Sequence, residues 1–400
     1  MAKGAVTQAA GFLAAGVACG LKRSGKRDLA LIHCPGGATA AAMFTTNKIV
    51  SAAVEVARRH VRSAKVYGVV INSGNANACT GQKGLNDAVA MCQAAAKQIG
   101  AEPNQVLVAS TGIIGHPLPV AKVKAGIRRA AAALSSSAAA GHDFARAIMT
   151  TDTRCKEAVN TVRISGKTAT IGGTAKGAGM IGPNMATTIS VITTDAAISK
   201  AMLQKAMAAA IGESLNKLTV DGHQSTNDTA LALASGAAGN PPIVRRCPRY
   251  KAFAAALKAV CEDLTRQMAL DAEGATRMFK VIVAGAASQA EAAKAARAVA
   301  DYDLVKCAIH GGDPNWGRII CAVGSCGVRL DPRKLACKIG DTAVFARGRP
   351  IKYDAAKVSA VIRRQYHTIT VHLGVGNHTD FCYGCDLSRG YVTINADYHT

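Results

Sequence analysis

The sequence predicts a mixed α/β protein, an α+β layered sandwich. Helical and strand-like segments alternate irregularly along the 400 residues, with no internal repeat. Hydrophobic residues make up 49% of the chain and charged residues only 18%, which is ample for a buried core. Aromatic residues are only 4%, so we expect a core built mainly of alanine, valine, isoleucine, leucine and methionine.

The N-terminal half is predicted to contain strands that end in polar loops. Residues 4–32 predict short strands and turns, and Cys34-Pro35-Gly36-Gly37 predicts a further turn. Apolar runs predict buried strands at 66–71 and 106–109. Helical spacing and end signals predict helices at 87–99, 119–135 and 143–149.

The second buried strand is followed by Ser110-Thr111-Gly112. A strand that ends in a hydroxyl and a glycine can point backbone N–H groups into open space. An oxyanion hole requires donors in that arrangement. Because many strands end in this way, the pattern alone is also compatible with an ordinary turn.

The C-terminal half is predicted to alternate between helices and strands. Amphipathic spacing predicts helices at 200–211, 250–268 and 289–300. β-Branched and apolar runs predict strands at 187–194 and 278–284, and the tail over 391–400 is also strand-like.

The net charge of +23 is spread along the chain, which has no run of five or more Lys or Arg residues. A nucleic-acid-binding protein would more often concentrate its charge on one element. We therefore expect a basic surface that favours anionic small substrates, and no nucleic-acid partner. A nucleic-acid-binding protein stays as an alternative that rests on net charge alone.

The 13 cysteines are irregularly spaced, and only Cys382 and Cys385 form a CxxC pair. An odd number of scattered cysteines favours free thiols in a reducing compartment, so we expect a cytoplasmic protein. No second pair lies at zinc-binding distance, and no metal site is expected. A redox role for the CxxC pair lacks the preceding strand and following helix that usually carry it.

The chain contains no uninterrupted apolar run of about 18 residues, so no membrane-spanning helix is expected. Residues 1–20 have no apolar core that leads to a cleavage site, and they are not rich in arginine and serine. The N-terminus therefore indicates neither a secretory signal nor a transit peptide.

Two glycine-rich motifs resemble nucleotide-binding loops and are rejected. Residues 20–27 nearly match the phosphate-loop pattern, but Arg27 replaces the magnesium-binding hydroxyl. Gly177, Gly179 and Gly182 formally satisfy GxGxxG, but Pro183 and a predicted strand follow them instead of a helix. Neither motif therefore predicts a nucleotide site.

The central stretch, residues 173–195, suggests a different chemistry. Its first half is glycine-rich and is expected to be flexible, and a β-branched strand follows the Ala186–Thr187 bond. Threonine is a poor nucleophile unless a base is adjacent. If this bond is cut, the new α-amine of Thr187, with a pKa of about 8, becomes that base. Without further support, an ordinary Ala-Thr pair before a strand is the favoured interpretation.

The segment from Lys176 to Thr187 resembles the signature of the ornithine acetyltransferase (glutamate N-acetyltransferase) family of arginine biosynthesis. Further matching segments extend over nearly the whole chain: 45–48, 72–78, 110–115, 150–153, 219–222, 225–229, 313–318 and 395–400. The resemblance implies a fold of the ornithine acetyltransferase type, similar to N-terminal-nucleophile enzymes.

The resemblance also implies an activity and an assembly. The chain would cleave itself between Ala186 and Thr187 into an α chain, 1–186, and a β chain, 187–400, which fold together. The enzyme would transfer the acetyl group of N2-acetyl-L-ornithine to L-glutamate in a ping-pong reaction. Two α and two β chains would associate in the cytoplasm. No cofactor is implied. Whether acetyl-CoA also serves as an acetyl donor is not decided by any residue of the sequence.

Site residues follow from the same resemblance. Thr187 would be the nucleophile for cleavage and for the acetyl-enzyme, and Thr111 and Gly112 would form the oxyanion hole. The amino-acid pocket would be lined by Thr150, Lys176, Thr187, Glu273, Asn395 and Thr400. A lysine suits the substrate's α-carboxylate and a glutamate suits its ammonium. From the residues alone, Glu273 would instead be taken as a charge at a helix end.

Three features depart from the usual family pattern. Gly182 stands where many members carry a side chain, and Thr188 stands where methionine is frequent. Cys382 and Cys385 occupy a segment that often holds one cysteine. None of these changes removes a catalytic group. An N-terminal-nucleophile amidohydrolase or aminopeptidase, with water as the acyl acceptor, is the alternative that uses the same Thr187.

Overall fold

The computed structural model describes residues 4–182 and 188–397. Within these ranges the strands form two sheets, of eight and six strands, with helices packed against them. The predicted mixed α/β class is therefore confirmed. No helix in the described part of the chain is long and apolar enough to cross a membrane.

The larger sheet has the order β4-β3-β2-β8-β7-β6-β5, with β1 added antiparallel to β2. The β3–β4 and β7–β8 pairs are parallel, and the other pairs are antiparallel. Its strands are β1 (Leu13–Val17), β2 (Leu29–Phe44), β3 (Val66–Asn75), β4 (Val106–Ile113), β5 (Lys156–Ile164), β6 (Lys167–Lys176), β7 (Ile189–Thr194) and β8 (Thr229–Ala234).

Six helices cover this sheet because each buries an alanine-rich apolar face against the strands. They are α1 (Ala52–His60), α2 (Gly81–Ile99), α3 (Val120–Ala132), α4 (Ala138–Ile148), α5 (Lys200–Gly212) and α6 (Pro248–Leu270). The first three pack on one face of β2–β4, α4 packs on the opposite face, and α5 and α6 cover β5–β8. Serine N-caps begin α1, α4 and α5, at Ser51, Ser137 and Ser199.

The smaller sheet has the order β12-β11-β10-β13-β9-β14 and its own apolar core. Its elements are β9 (Met278–Ala286), α7 (Gln289–Asp301), α8 (Asp303–Gly311), α9 (Trp316–Ser325), β10 (Ala336–Ile339), β11 (Thr342–Ala346), β12 (Arg349–Pro350), α10 (Ala355–Ile362), β13 (Tyr366–His372) and β14 (His378–Cys385). The described chain ends in α11 (Arg389–Asp397).

The central stretch connects two neighbouring strands of the larger sheet. Strand β6 ends at Lys176, and Ile189, the first residue of β7, lies directly opposite it in the antiparallel ladder. Strands from both sides of the predicted 186/187 boundary therefore lie side by side. Because β7 also pairs in parallel with β8, Ile189 is opposite Thr229.

Two predictions about local structure are wrong. The segment Cys34-Pro35-Gly36-Gly37 does not turn the chain; it is an irregularity inside β2, where the pairing with β3 shifts between His33 and Ala38. The tail was expected to be strand-like, yet residues 389–397 form the helix α11. Its β-branched residues Val392 and Ile394 are exposed, so packing against a sheet does not favour a strand at these positions.

Candidate active site

A small pocket lies where several connections of the larger sheet meet α11. Its cavity volume is about 80 Å³. It brings together six residues that the sequence analysis placed in the site: Thr111, Gly112, Thr150, Lys176, Glu273 and Asn395. The other lining residues are Ala76, Ile114, Thr151, Gly179, Met180, Ser225 and Asn227.

The carboxyl end of β4 supplies Thr111 and Gly112. Gly112 has a φ of 131°, a conformation that favours glycine. A Cβ atom at this position would lie 2.5 Å from the backbone nitrogen of Asn75 on the neighbouring strand β3. This close approach explains why glycine stands at position 112, next to the end of β4, and it leaves the backbone at the pocket free of side-chain bulk.

Lys176, the last residue of β6, is almost fully buried. Its Nζ atom donates a hydrogen bond to Thr111 Oγ1 at 3.3 Å. Burial lowers the pKa of the Lys176 ammonium, and the negative charge of Asp152 partly offsets this effect. The pocket therefore contains a buried ammonium group beside the end of β4.

A buried ion network that the sequence analysis missed supports this lysine. The Nζ atom of Lys156 lies 2.5 Å from Asp152 Oδ1 and 2.6 Å from Asp271 Oδ2. Asp152 also accepts hydrogen bonds from the backbone N–H groups of Thr150, at 2.9 Å, and Gly177, at 2.7 Å. One carboxylate thus fixes two segments that line the pocket.

Charge balance within this network keeps Asp152 ionised. Burial alone would raise the pKa of its carboxyl, but the ammonium groups of Lys156 and Lys176 outweigh it and lower the pKa to about 2. The signal for this network was present in the segment 150–153, which the sequence analysis matched to a family without assigning a role to Asp152. No periodicity indicates Lys156 or Asp271, because they are brought together from distant parts of the chain.

The glycine-rich segment was expected to be flexible, but its described residues are held by hydrogen bonds to other parts of the chain. The carboxylate of Asp221 accepts hydrogen bonds from the backbone N–H groups of Met180, at 2.7 Å, and Ile181, at 2.9 Å. The N–H of Glu273 donates to the carbonyl of Ala178 at 2.8 Å. These contacts, with that of Gly177, hold the segment from both sides.

Close packing explains two of its glycines. A Cβ atom at Gly179 would lie within 2.7 Å of the Glu273 carboxylate, and one at Gly182 would lie 2.6 Å from the Gly222 carbonyl. The glycine at 182, a departure from the usual family pattern, therefore packs against the backbone of Gly222.

Glu273 and Asn395 meet at the pocket. The Nδ2 atom of Asn395, on α11, donates to Glu273 Oε2 at 2.9 Å. Glu273 follows the end of α6 by a few residues and is buried. Glu273 thus lies near a helix end, as the alternative interpretation has it, but its carboxylate also lines the pocket.

Three predicted site residues, Ala186, Thr187 and Thr400, lie outside the described residues. The adjacent Thr188 is described: its N–H donates to Asp228 Oδ1 at 3.0 Å, and its carbonyl accepts from the N–H of Thr229 at 2.9 Å. The start of β7, next to the predicted nucleophile, is thereby fixed to β8.

The residues before β8 contribute two further groups that the sequence analysis did not single out. The Nδ2 atom of Asn227 donates to the carbonyls of Ala76 and Ser110, each at 2.7 Å, which ties the loop after β3 to β4. Asp228 is buried, and its Oδ2 atom has no hydrogen-bond partner among the described residues. Burial raises the pKa of the Asp228 carboxyl well above its usual value.

The CxxC pair does not form a redox unit. Cys382 and Cys385 are free thiols on β14, three positions apart. Residues at odd spacing on a strand point to opposite faces. Cys382 packs in the core of the smaller sheet, whereas Cys385 packs against α6 and its neighbours. The predicted free thiols are therefore confirmed for this pair.

The mixed α/β fold holds a small pocket in which the buried Lys176, the Glu273 carboxylate and Gly112 near the end of β4 come together, a site with the size and charge for a small molecule. A family model described as the ArgJ family matches residues 13–400. This chain belongs to the ArgJ family and is an acyltransferase of arginine biosynthesis.

Two named relatives are similar in sequence to this chain over its full length. The arginine biosynthesis bifunctional protein ArgJ of Symbiobacterium thermophilum is 46% identical over 399 residues, which cover 99% of each chain. The protein of the same name from Shouchella clausii is 44% identical over 400 residues, which cover 100% of this chain and 97% of the relative.

A solved structure superposes on part of this chain. The crystal structure of the arginine biosynthesis bifunctional protein argJ from Bacillus halodurans superposes with a TM-score of 0.50 at 40% identity. The match covers 52% of this chain and 97% of that chain.

Proposed function

We propose that this enzyme transfers the acetyl group of N2-acetyl-L-ornithine to L-glutamate through an acetyl-Thr187 intermediate. The active enzyme arises by self-cleavage between Ala186 and Thr187. It works in the cytoplasm as two α chains, 1–186, and two β chains, 187–400. The acetyl group is thereby passed from one small amino acid to another without a cofactor.

The observation that carries this proposal is the pairing of opposite charges in one small pocket. The buried Lys176 ammonium suits the α-carboxylate of an amino acid, and the Glu273 carboxylate suits an ammonium group. Asn395 supports Glu273 by donating to its Oε2 atom. Both ornithine and glutamate derivatives carry the groups that such a pocket binds.

The reaction consists of two half-reactions. The α-amine of Thr187 takes the proton of its own hydroxyl as the hydroxyl oxygen attacks the acetyl carbon of acetylornithine. N–H groups at Thr111 and Gly112 stabilise the oxyanion, the C–N bond breaks, and the proton passes to the leaving amine of ornithine. The amine of glutamate then attacks the acetyl ester, and the hydroxyl of Thr187 is restored.

The length of the solved relative supports the cleavage step. The chain of the Bacillus halodurans protein is almost fully covered by about half of this chain. The predicted fragments, 1–186 and 187–400, each comprise about half of the 400 residues. In addition, the predicted cleavage site lies in the connection between adjacent strands, so both fragments stay paired in one sheet after the bond is cut.

Denaturing electrophoresis and a transfer assay test the proposal. The purified protein should show two fragments that correspond to 1–186 and 187–400, and Thr187→Ala should stay intact and inactive. A single intact band in the wild type, with an active Thr187→Ala variant, would overturn the proposal. Acetylornithine turnover that is equally fast without glutamate would favour the amidohydrolase with water as acceptor.

A further inference from the structure

Met180 lines the small pocket and has no place in an apolar core. It is half-buried, and within the described ranges it neither belongs to the four clusters of buried apolar residues nor packs against them. The next residue along the chain differs, because Ile181 is fully buried in the core formed with α5 and α6. Core packing therefore accounts for Ile181 but does not explain why a large apolar side chain stands at position 180.

The backbone conformation of Met180 also argues against a merely structural role. Its φ is 54°, in the left-handed region that favours glycine. The same segment has glycine at positions 177, 179 and 182, yet it carries methionine here. A non-glycine residue keeps such a conformation only where its surroundings impose it, and residues of this kind cluster at ligand sites.

Hydrogen bonds on both sides of Met180 impose this conformation. The Asp221 carboxylate accepts the N–H groups of Met180 and Ile181. The Ile181 carbonyl accepts the N–H of Val220 at 2.8 Å. The hydroxyl of Tyr391, on α11, donates to Asp221 Oδ2 at 3.2 Å. The backbone that carries the Met180 side chain is thus held by the loop before β8, and the same carboxylate is bound to α11.

Met180 lies beside the carboxylate that suits the substrate's ammonium. The preceding residue, Gly179, approaches Glu273 so closely that a Cβ atom there would lie within 2.7 Å of the carboxylate. An amino acid whose carboxylate binds Lys176 and whose side-chain ammonium binds Glu273 has only methylene groups between these two ends. An unbranched, polarisable thioether is suited to pack against such a chain.

We propose that Met180 is a specificity-determining residue, whose side chain packs against the substrate's methylene groups and selects an unbranched chain of the length of ornithine over longer ones. This inference rests on the proposed function and names the feature of the substrate that the site recognises. Lys176 and Glu273 hold the two charged ends at a fixed separation. A longer chain can meet both of them only by bending, and Met180 occupies the space into which it would bend.

The binding of two free amino acids tests the proposal directly. L-Lysine has one more methylene group than L-ornithine, and one methylene in an apolar pocket changes selectivity by about tenfold or more. Titration calorimetry with the purified enzyme should therefore give a lower Kd for ornithine. Met180→Ala opens the space beside Glu273, so the ratio of the Kd of lysine to that of ornithine should fall by about tenfold. The ratio of kcat/KM for the two N2-acetyl derivatives should fall similarly.

Two further variants at this position separate the contact from folding. Met180→Leu keeps the volume of the side chain and should retain most of the selectivity. Met180→Gly removes the side chain, but glycine adopts a φ of 54° without strain. The melting temperature of Met180→Gly should therefore not fall, whereas its selectivity should fall as in Met180→Ala.

Arg347→Gly is the matched control. Arg347 has a φ of 53° in the exposed turn between β11 and β12, outside the lining of the pocket. The same exchange for glycine should leave the ratio of Kd values unchanged there.

Three results would overturn the proposal: a wild type that binds lysine as tightly as ornithine, a wild-type ratio in Met180→Ala and Met180→Gly, or an equal fall in Arg347→Gly. Absence of acetyl transfer to glutamate, with the Kd ratios changed as expected, would instead refute the proposed function and support the role of Met180, because binding is measured without transfer.

Discussion

The ammonium of Lys176 lies 3.3 Å from the hydroxyl of Thr111. One residue ends β6 and the other lies near the end of β4, strands that are not neighbours in the sheet. The contact brings a buried positive charge to the proposed oxyanion hole. Because Asp152 lies near the same ammonium, removal of the lysine changes both substrate binding and local charge balance.

Replacement of Lys176 tests its role in binding the amino acid. We expect Lys176→Met to lower kcat/KM for acetylornithine by about thirtyfold or more, since the loss of one partner of a buried charged contact costs about 2–5 kcal/mol. Lys176→Arg keeps the charge and should recover part of the loss. Steady-state kinetics measure both effects. A Lys176→Met variant with wild-type kinetics would show that the substrate carboxylate binds elsewhere.

Replacement of Lys156 tests the buried ion network. Lys156→Met leaves the carboxylates of Asp152 and Asp271 without their shared cation, so we expect a loss of about 3–5 kcal/mol of stability. Thermal unfolding of the cleaved enzyme measures it. Lys258→Met is the matched control, because it breaks the exposed ion pair with Glu262 and should cost less than about 1 kcal/mol. Similar losses in the two variants would contradict a special role for the network.

The packing of Gly179 against Glu273 leads to a prediction about substrate binding. In Gly179→Ala the new methyl group displaces the Glu273 carboxylate, so KM for acetylornithine should rise by about tenfold or more. Gly212→Ala, on α5, meets no atom within 4 Å and should leave KM unchanged. Kinetic measurement of the two variants separates loss of the carboxylate position from a general effect of alanine. An unchanged KM in Gly179→Ala would exclude Glu273 from substrate binding.

The buried carboxyl of Asp228, whose Oδ2 atom has no hydrogen-bond partner among the described residues, predicts a pH-dependent stability. Because burial raises its pKa in the folded protein, the ionised form costs stability at pH values above the usual 3.8. Asp228→Asn keeps an oxygen that can accept the N–H of Thr188 and removes this cost. The melting temperature of the variant should exceed that of the wild type at neutral pH, and the difference should shrink as the pH falls toward 3.8. A destabilised variant at neutral pH would contradict this account.

The sequence predicted the mixed α/β class, six of the eleven α-helices in the described residues and the strands β3, β4, β7 and β9, because their apolar periodicity is strong. It did not single out strands such as β5, β6 and β8. It failed for the tail over 391–400, where β-branched residues favour a strand by propensity but the described part forms the exposed helix α11. It also failed at Cys34-Pro35-Gly36-Gly37, since turn-forming residues can be accommodated as an irregularity within a long strand.

For the site, six residues named from the family resemblance meet in one pocket. The supporting residues Lys156, Asp271 and Asp228 were not found, because their role depends on contacts between distant parts of the chain. The glycines of the central stretch were interpreted as a source of flexibility. In residues 177–182 they instead allow Glu273 and Gly222 to pack closely.

The most direct test of the account is the mass of the β chain during the first half-reaction. The cleaved enzyme is mixed with acetylornithine in the absence of glutamate, and the intact mass of the fragment 187–400 is measured. We predict a gain of one acetyl group, located at Thr187 by fragmentation and lost when L-glutamate is added. A β chain that never gains an acetyl group while acetylglutamate is still formed would contradict the acetyl-enzyme mechanism.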